Sequence, residues 1–439
     1  MDSVITVSIL LGIMFALLAA GVWIAPTLMF VAAVAIDLMA GRPAGLSIAT
    51  TAWSASSSWM LTALPMFIWM GDILLHSKLS ENMFEGLSPL MRRIPGGLLH
   101  TNVLGCTLFA AVSGSSVATL TTVGKMTIPE LRKRGYPEHM IVGTLAGPAT
   151  LGLMIPPSII MIVYGSLTNE SIAAINIAGI IPGLVLAALF SAYVVFRAYT
   201  MKGFNPDKEA PSTWAEKFAG ARKLIPVVAL LLTVIGSMMY GIATATEAAA
   251  VGVIGALLLS LGQGTLKRRM FATSLMSATR TSVMISLILV SAGSLSLAMG
   301  YLSLPEMLAT WVDGLHLSAF WLLMGLLVLY TILGHFLDGI SCVALTIAIV
   351  EPMVRHAGID MIWFGIFMVL VVEMAQITPP VGFNLTVLQS MTGHDMFKVG
   401  WWSVPMHIIM LGMVFILIWF PEIATWLPKQ MIPVHGAVG

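Results

Sequence analysis

The chain has 439 residues, of which 58% are hydrophobic and 9% charged, and a net charge of +1; an average soluble domain is about 25% charged. With a mean hydropathy of +0.96, this composition points away from a soluble domain and carries no charge bias toward nucleic acid. The two cysteines, Cys106 and Cys342, both lie in apolar surroundings and offer neither a disulfide framework nor a metal-ligand spacing.

The expected fold class is an all-α polytopic membrane protein. Apolar runs at 3–25, 224–240, 248–262 and 402–427 have the length of membrane helices, roughly 20 residues each. A transmembrane barrel would show short alternating segments instead. The first run has no basic flank before it and continues into more membrane sequence, so it reads as a membrane helix and not as a cleaved signal peptide.

From Pro95 an apolar run of about 18 residues leads into "SGSS", 113–116, and then into a second run. A run, a break and a run with polar ends reads as a re-entrant hairpin whose tip lies inside the membrane; two full spans joined by a tight turn are the alternative. Ser113, Ser115 and Ser116 supply hydroxyls at this tip, Gly114 exposes carbonyls, and Thr119 and Thr122 continue the helix. The segment 127–159 then carries Pro156-Pro157 after Gly152. Two prolines remove two amide donors and clash with the preceding turn, so this pass should be broken in mid-membrane.

The longest polar stretch, 197–223, is a connecting loop with a short surface helix expected at 212–222. A pass at 277–300 follows. A second hairpin starts at Ser318, with "GHFLDGIS" at its tip, 334–341. Its candidate ligands are His335, Asp338, Gly339 and Ser341. Asp338 at membrane depth is expensive and therefore functional by expectation. It can bind a cation, relay a proton, pair with His335 or cap the following helix. A second broken pass, 360–392, carries Thr378 ahead of Pro379-Pro380, with Asn384 just beyond.

The two halves repeat. Pro129 matches Pro352, Gly135 matches Gly358, and Pro156-Pro157 match Pro379-Pro380, all at one offset (352 − 129 = 223; 379 − 156 = 223). Lysine and arginine collect on cytoplasmic loops. Arg92-Arg93 and Arg132-Lys133-Arg134 place the base of the first hairpin inside, whereas Glu306, Asp313, Glu351 and Asp360 place the base of the second outside. The hairpins would then enter from opposite faces, an inverted-topology repeat of the kind found in secondary transporters.

Freed carbonyls and hydroxyls at such breaks suit Na⁺, and freed N–H groups suit anions. Among the other ionisable groups, Lys125 is expected to snorkel to the cytoplasm, Glu247 to start a helix, and Asp37 and Asp72 to be interfacial. Glu373 faces the cavity or pairs with a scaffold group. No nucleotide loop, zinc spacing or catalytic triad stands out, so no enzymatic activity is expected.

"VSGSSVAT", "IPELRKRGY" and "GTLAGPATLGLMIPPSIIMIVYGSLTNESI" in the first half, and "GHFLDGIS", "EPMVRHAGIDMIWFGI" and "ITPPVGFNLTVL" in the second, resemble the large membrane subunit of tripartite ATP-independent periplasmic (TRAP) transporters. The resemblance covers essentially the whole chain. It implies Na⁺-coupled uptake of an organic acid such as a C4-dicarboxylate or a sugar acid, across the bacterial inner (cytoplasmic) membrane. It implies two partners, a periplasmic substrate-binding protein and a small four-helix membrane subunit, here expected as a separate chain. Na⁺ is implied as coupling ion, with no other cofactor.

The implied architecture is an elevator. Residues 1–94 are N-terminal scaffold helices, 95–170 the first transport-domain repeat, 171–317 scaffold helices and the cytoplasmic loop, 318–395 the second repeat, and 396–439 the C-terminal helix. By the same resemblance the Na⁺ ligands come from Ser113, Ser115 and Ser116 with the break near Gly152, and from Asp338 with Thr378, substrate lying between the tips. Pro148, and Met374-Ala375-Gln376 where a glycine is common, depart from the family pattern. A stand-alone cation-coupled anion transporter of the same inverted-hairpin fold is the alternative reading.

Single cysteines placed at 134 and 355 test the orientation with a membrane-impermeant thiol reagent. The inverted repeat predicts labelling from opposite sides; labelling of both from one side contradicts it.

Overall fold

The computed structural model describes residues 3–201, 212–304, 318–379 and 382–432, with 307, 310 and 314 between them. The described residues form helices and connecting turns, with no strand among them. In chain order the helices are α1 (Ser3–Ala19), α2 (Ile24–Val34, continued by a wider turn over Ala35–Met39), α3 (Ala44–Ser56), α4 (Ala63–Leu75) and α5 (Leu79–Met91). The first hairpin is α6 (Leu99–Ser113) and α7 (Ser116–Lys133), and the first broken pass is α8 (Glu138–Ala149) and α9 (Ile159–Thr168). Then come α10 (Ile172–Ala178), α11 (Ile180–Thr200), α12 (Trp214–Met239), α13 (Ala245–Gly262) and α14 (Arg268–Tyr301). The second hairpin is α15 (Ala319–Gly334) and α16 (Gly339–His356), the second broken pass α17 (Met361–Gln376) and α18 (Phe383–Thr392), and the chain continues as α19 (Met396–Trp419) and α20 (Glu422–Lys429).

Among the described residues, six helical stretches are long and apolar enough to cross a membrane: Ile172–Thr200, α12, α13, α14, α16 and α19. The 15 residues of α6 rise about 22 Å and the 16 of α15 about 24 Å, at ~1.5 Å per residue; both fall short of a hydrocarbon core of about 30 Å.

Three boundaries differ from the sequence reading. The surface helix expected at 212–222 is the start of α12, which runs unbroken from Trp214 into the membrane. It starts there because Thr213 and Glu216 form a reciprocal cap: the Thr213 N–H donates to Glu216 Oε2 at 2.9 Å and the Glu216 N–H to Thr213 Oγ1 at 3.2 Å. The run 402–427 is interrupted at Phe420-Pro421, where proline starts a new short helix. The first run ends as helix at Ala19, before a left-handed Gly21. The expected helix start at Glu247 is present, its carboxylate accepting from the Thr244 N–H at 2.8 Å.

The repeat read from prolines and glycines is a repeat of helices. Helices α7 and α16 are both 18 residues long (339 − 116 = 223; 356 − 133 = 223), and each is followed by a left-handed glycine, Gly135 or Gly358. Helices α8 and α17 start one offset apart (361 − 138 = 223). Helices α9 and α18 are 10 residues each, shifted by one more (383 − 159 = 224).

Two arginines at that offset (355 − 132 = 223) tie the halves crosswise. Arg132, at the base of the first hairpin, donates from Nη2 to the carbonyl of Thr392, the last residue of α18, at 3.2 Å. Arg355, at the base of the second, donates from Nη2 to the carbonyl of Thr168, the last residue of α9, at 3.1 Å. Each guanidinium thus satisfies an orphan carbonyl at the end of the other repeat's broken pass. Glu138 takes Arg132 Nε at 3.0 Å and Glu170 takes Arg355 at 3.0 Å. The Arg132 guanidinium, aided by His394, holds the Glu138 carboxyl below the usual carboxylate range.

Arg132→Gln and Arg355→Gln should each lower stability by about 1 kcal/mol in detergent melts, because both side chains are partly exposed. The Glu138 contribution is present above the ordinary carboxylate pKa and fades as pH falls through its lowered value. In Arg132→Gln that acid-side loss of stability should shrink; an unchanged pH profile contradicts the pairing.

Candidate functional site

The first tip turns at Gly114, which has φ +59 and caps α6 in the left-handed conformation. A side chain there would strike the carbonyl of Pro157, 2.8 Å from the place of its Cβ. Ser115 starts α7, its Oγ accepting weakly from the Ala118 N–H at 3.4 Å. The Ser113 hydroxyl donates to Ser115 O at 3.2 Å and pairs with Thr119 Oγ1 at 2.8 Å, and Thr119 in turn donates to Ser115 O at 2.8 Å. Thr119 therefore braces the tip from within. Ser116 Oγ reaches across to Gln376 Oε1 on α17 at 3.2 Å, and Gln376 Nε2 donates to Glu373 Oε1 at 3.1 Å.

The first double proline does break the pass. After α8 one tighter turn, Thr150–Leu153, carries the chain to the interruption, and α9 restarts at Ile159. Leu153 O takes the Ser158 hydroxyl, and the Ser158 N–H donates to Asn176 Oδ1 at 2.9 Å. Gly152 lies directly under the tip: a Cβ there would sit 2.6 Å from Ser115 O. The structure thus brings Ser113–Ser116 and Gly152 together, with Pro157 beside Gly114.

The second tip is built differently. Asp338 occupies the N-cap position of α16 with extended backbone, yet its carboxylate accepts no N–H of that helix. It takes the hydroxyl of Ser341 instead. His335 does not pair with Asp338; its Nδ1 meets Thr331 O one turn back. Gly339 rests on the first repeat, a Cβ there meeting Ile160 Cδ1 at 2.9 Å.

Thr378, expected with Asp338 among the ion ligands, has partners of its own on α17 and α19. Thr378 Oγ1 donates to Met374 O at 2.8 Å and bonds His407 Nδ1 on α19 at 2.9 Å. A Cβ on Gly382 would lie 2.5 Å from Gln376 O. Pro379 packs its ring against Gly400 of α19, and Pro380 lies outside the described residues. Asn384 is fully buried in the first turn of α18, with neither amide atom hydrogen-bonded.

Both tips line one cavity of about 380 Å³, shared by Ser113, Ser115, Ser116, Asp338 and Gln376. Asp72 of α4 lines it too. The sequence reading placed Asp72 at the interface; α4 instead packs so closely on the tip that a Cβ on Gly71 would lie 2.8 Å from Val112 O. Among the described residues no lysine, arginine or histidine lines this cavity. Ser341 and Asp338 also border a wider crevice of about 1400 Å³, where Arg280 of α14 lies.

Asp72, Gln376 and Arg280 were missed or misplaced in sequence because nothing local marks them; only the position of an isolated polar residue within an apolar run signals them. Glu373 is fully buried, and its Oε2 has no partner. Among the described residues no three His, Cys, Asp or Glu side chains gather as a metal site. The donors at the first tip are hydroxyls and carbonyls, a set that fits a hard monovalent cation.

The comparisons agree with this geometry. Residues 11–423 match the family described as "Tripartite ATP-independent periplasmic transporter, DctM component". The chain is 30% identical over 386 residues to the C4-dicarboxylate TRAP transporter large permease protein DctM of Pseudomonas aeruginosa, covering 88% of this chain and 90% of that one. It is 29% identical over 371 residues to the ectoine/5-hydroxyectoine TRAP transporter large permease protein UehC of Ruegeria pomeroyi, covering 84% and 85%. Among solved structures, the YdaH transporter of Alcanivorax borkumensis matches with a TM-score of 0.62 at 14% identity over 87% of this chain and 88% of that one, a likeness of fold alone. With paired hairpins and paired broken passes in a multi-pass membrane chain, matched by the family over nearly its whole length, this protein belongs to the DctM family of TRAP transporter large permeases.

Proposed function

We propose that this permease performs Na⁺-coupled uptake of a small organic anion across the bacterial inner membrane. The anion is handed over by a periplasmic binding protein, and a small four-helix membrane subunit completes the assembly. The observation that carries the reading is the cavity between the tips: two carboxylates, Asp72 and Asp338, three serine hydroxyls, and no basic side chain among its described lining. An anion entering such a space meets repulsion of several kcal/mol at low dielectric unless cations are already there. Cations bound first make the anion's entry favourable, and that is coupling in thermodynamic terms.

Two ion positions follow from the donors. One lies at the first tip, among Ser113, Ser115 and Ser116 and the carbonyls freed near Gly152. The other lies at Asp338, whose carboxylate accepts no main-chain N–H of the helix that it starts and takes the Ser341 hydroxyl. The relatives' names, C4-dicarboxylate and ectoine, bracket the substrate class as small and carboxylate-bearing.

Residues 95–170 and 318–395 are the mobile repeats of an elevator in this reading, moving against the rest. The crosswise arginines support one rigid unit, since they tie each hairpin base to the far end of the other broken pass. They also support opposite entry of the hairpins: a pass that leaves one base and ends at the other puts the two bases on opposite faces.

In proteoliposomes supplied with binding protein, uptake should follow an inward Na⁺ gradient and not a K⁺ gradient. Ser115→Ala with Ser116→Ala should raise the Na⁺ concentration for half-maximal uptake by roughly tenfold, two lost hydroxyl ligands being worth about 1 kcal/mol or more. Asp338→Asn should cut uptake by at least about tenfold while leaving the melting temperature within a few degrees. Unaltered Na⁺ activation in both variants contradicts the assignment of the ion positions; uptake indifferent to the cation contradicts the coupling.

A further inference from the structure

Away from the tips, a pocket of about 200 Å³ opens between α8, α11 and α19, lined by His139, Tyr193, Arg197, Trp401 and Trp402. Arg197 stands in the last turn of α11. Four other arginines have partners: Arg132 with Glu138, Arg134 with Glu130, Arg355 with Glu351 and Glu170, and Arg42 with the ring of Tyr301. Among the described residues no carboxylate pairs with Arg197 or lines its pocket. Its Nε is shielded from solvent and makes no hydrogen bond. A buried guanidinium N–H without an acceptor is costly, more so than a neutral donor.

A second cation stands near: Lys398 Nζ lies 5.1 Å from the ring centroid of Trp402. The ring of His394, bonded to Glu138, stands edge-on to the same indole at 5.0 Å. Trp401 is exposed beside them. The 21 residues of α11 rise about 31 Å, one hydrocarbon thickness, so Arg197 ends its helix near the headgroup level. Tryptophan and tyrosine gather at that level, and arginine and lysine mark its cytoplasmic side. The turn joining α7 to α8, with Arg132, Lys133 and Arg134, lies on the same side, since His139 on the first turn of α8 lines the pocket.

We propose that this pocket is an anion site for a phosphate group, held by the fork of Arg197 with the aromatic wall around it. Guanidinium matches phosphate with two parallel N–H···O bonds. A basic pocket between helices on the cytoplasmic side has the chemistry of an anionic lipid headgroup site; free phosphate offers the same group. The site lies between α8 of the first repeat and α11 outside it, apart from the cavity between the tips.

The test uses the whole purified chain in nanodiscs. Wild type and Arg197→Gln are exchanged into phosphatidylcholine with about 20 mol % phosphatidylglycerol, then released and weighed by native mass spectrometry. Wild type should retain phosphatidylglycerol, and Arg197→Gln should retain roughly tenfold less, with Arg197→Lys between them because it keeps the charge and loses the fork. A parallel arm adds inorganic phosphate alone to delipidated protein and reads the melting temperature. Stabilisation of wild type and not of Arg197→Gln identifies free phosphate as a ligand; retention of the lipid without that response identifies the headgroup. Equal melting of the two proteins in pure phosphatidylcholine checks that the variant folds. Equal lipid retention together with equal phosphate response in wild type and Arg197→Gln overturns the proposal.

Discussion

A peptide carbonyl or N–H that leaves a helix inside a bilayer has no water to replace its partner, and each such group costs several kcal/mol if left alone. Two of this protein's passes are interrupted in their apolar middle, and the structure can be read as the answer to where those groups go. At the first break, Ile155 N–H still reaches Leu151 O at 2.9 Å, Leu153 O takes a serine hydroxyl, and the Ser158 N–H finds an asparagine side chain of α10. The prolines have no N–H to satisfy. At the second break the same task falls to Thr378, whose N–H reaches Ala375 O at 3.1 Å while its hydroxyl serves Met374 O and a histidine of α19. The hairpin tip then comes down on the first break so closely that Gly114 and Gly152 admit no Cβ. Polar main chain is thus gathered in one place, walled by protein, where a solute can meet it.

That gathering explains why the two halves need each other. Neither broken pass can cover its own ends, and Arg132 and Arg355 reach across to cap the last carbonyl of the opposite one. The two halves are thereby tied at both ends. The polar chain from Ser116 through Gln376 to Glu373 adds a third tie, between the first tip and the second pass at the level of the cavity.

Much of this was legible in the sequence because prolines and glycines act locally. Pro156-Pro157 and Pro379-Pro380 mark breaks wherever they stand, and Gly135 and Gly358 mark left-handed turns, so an offset of 223 residues read from a few positions (358 − 135 = 223) returned matching helices. Asp72 and Thr378 were less legible because their roles are set by packing. An aspartate three residues before the end of an apolar helix looks interfacial until α4 is seen against the tip. Nothing near Thr378 in the sequence announces that His407, 29 residues further on, bonds it. Hydropathy likewise marks an apolar run without marking where it pauses, so α1 and α19 end earlier than their runs, at Ala19 and Trp419.

The central claim is that the interrupted main chain and the serines above it form the seat of a cation. It is tested most directly by two structures of the protein in lipid nanodiscs, one in Na⁺ and one in K⁺ at equal ionic strength. The account predicts a coordinated density between the Ser113–Ser116 turn and the carbonyls near Gly152 in Na⁺ that is absent in K⁺. The same empty turn in both, with the serines bonded only to one another, would contradict it.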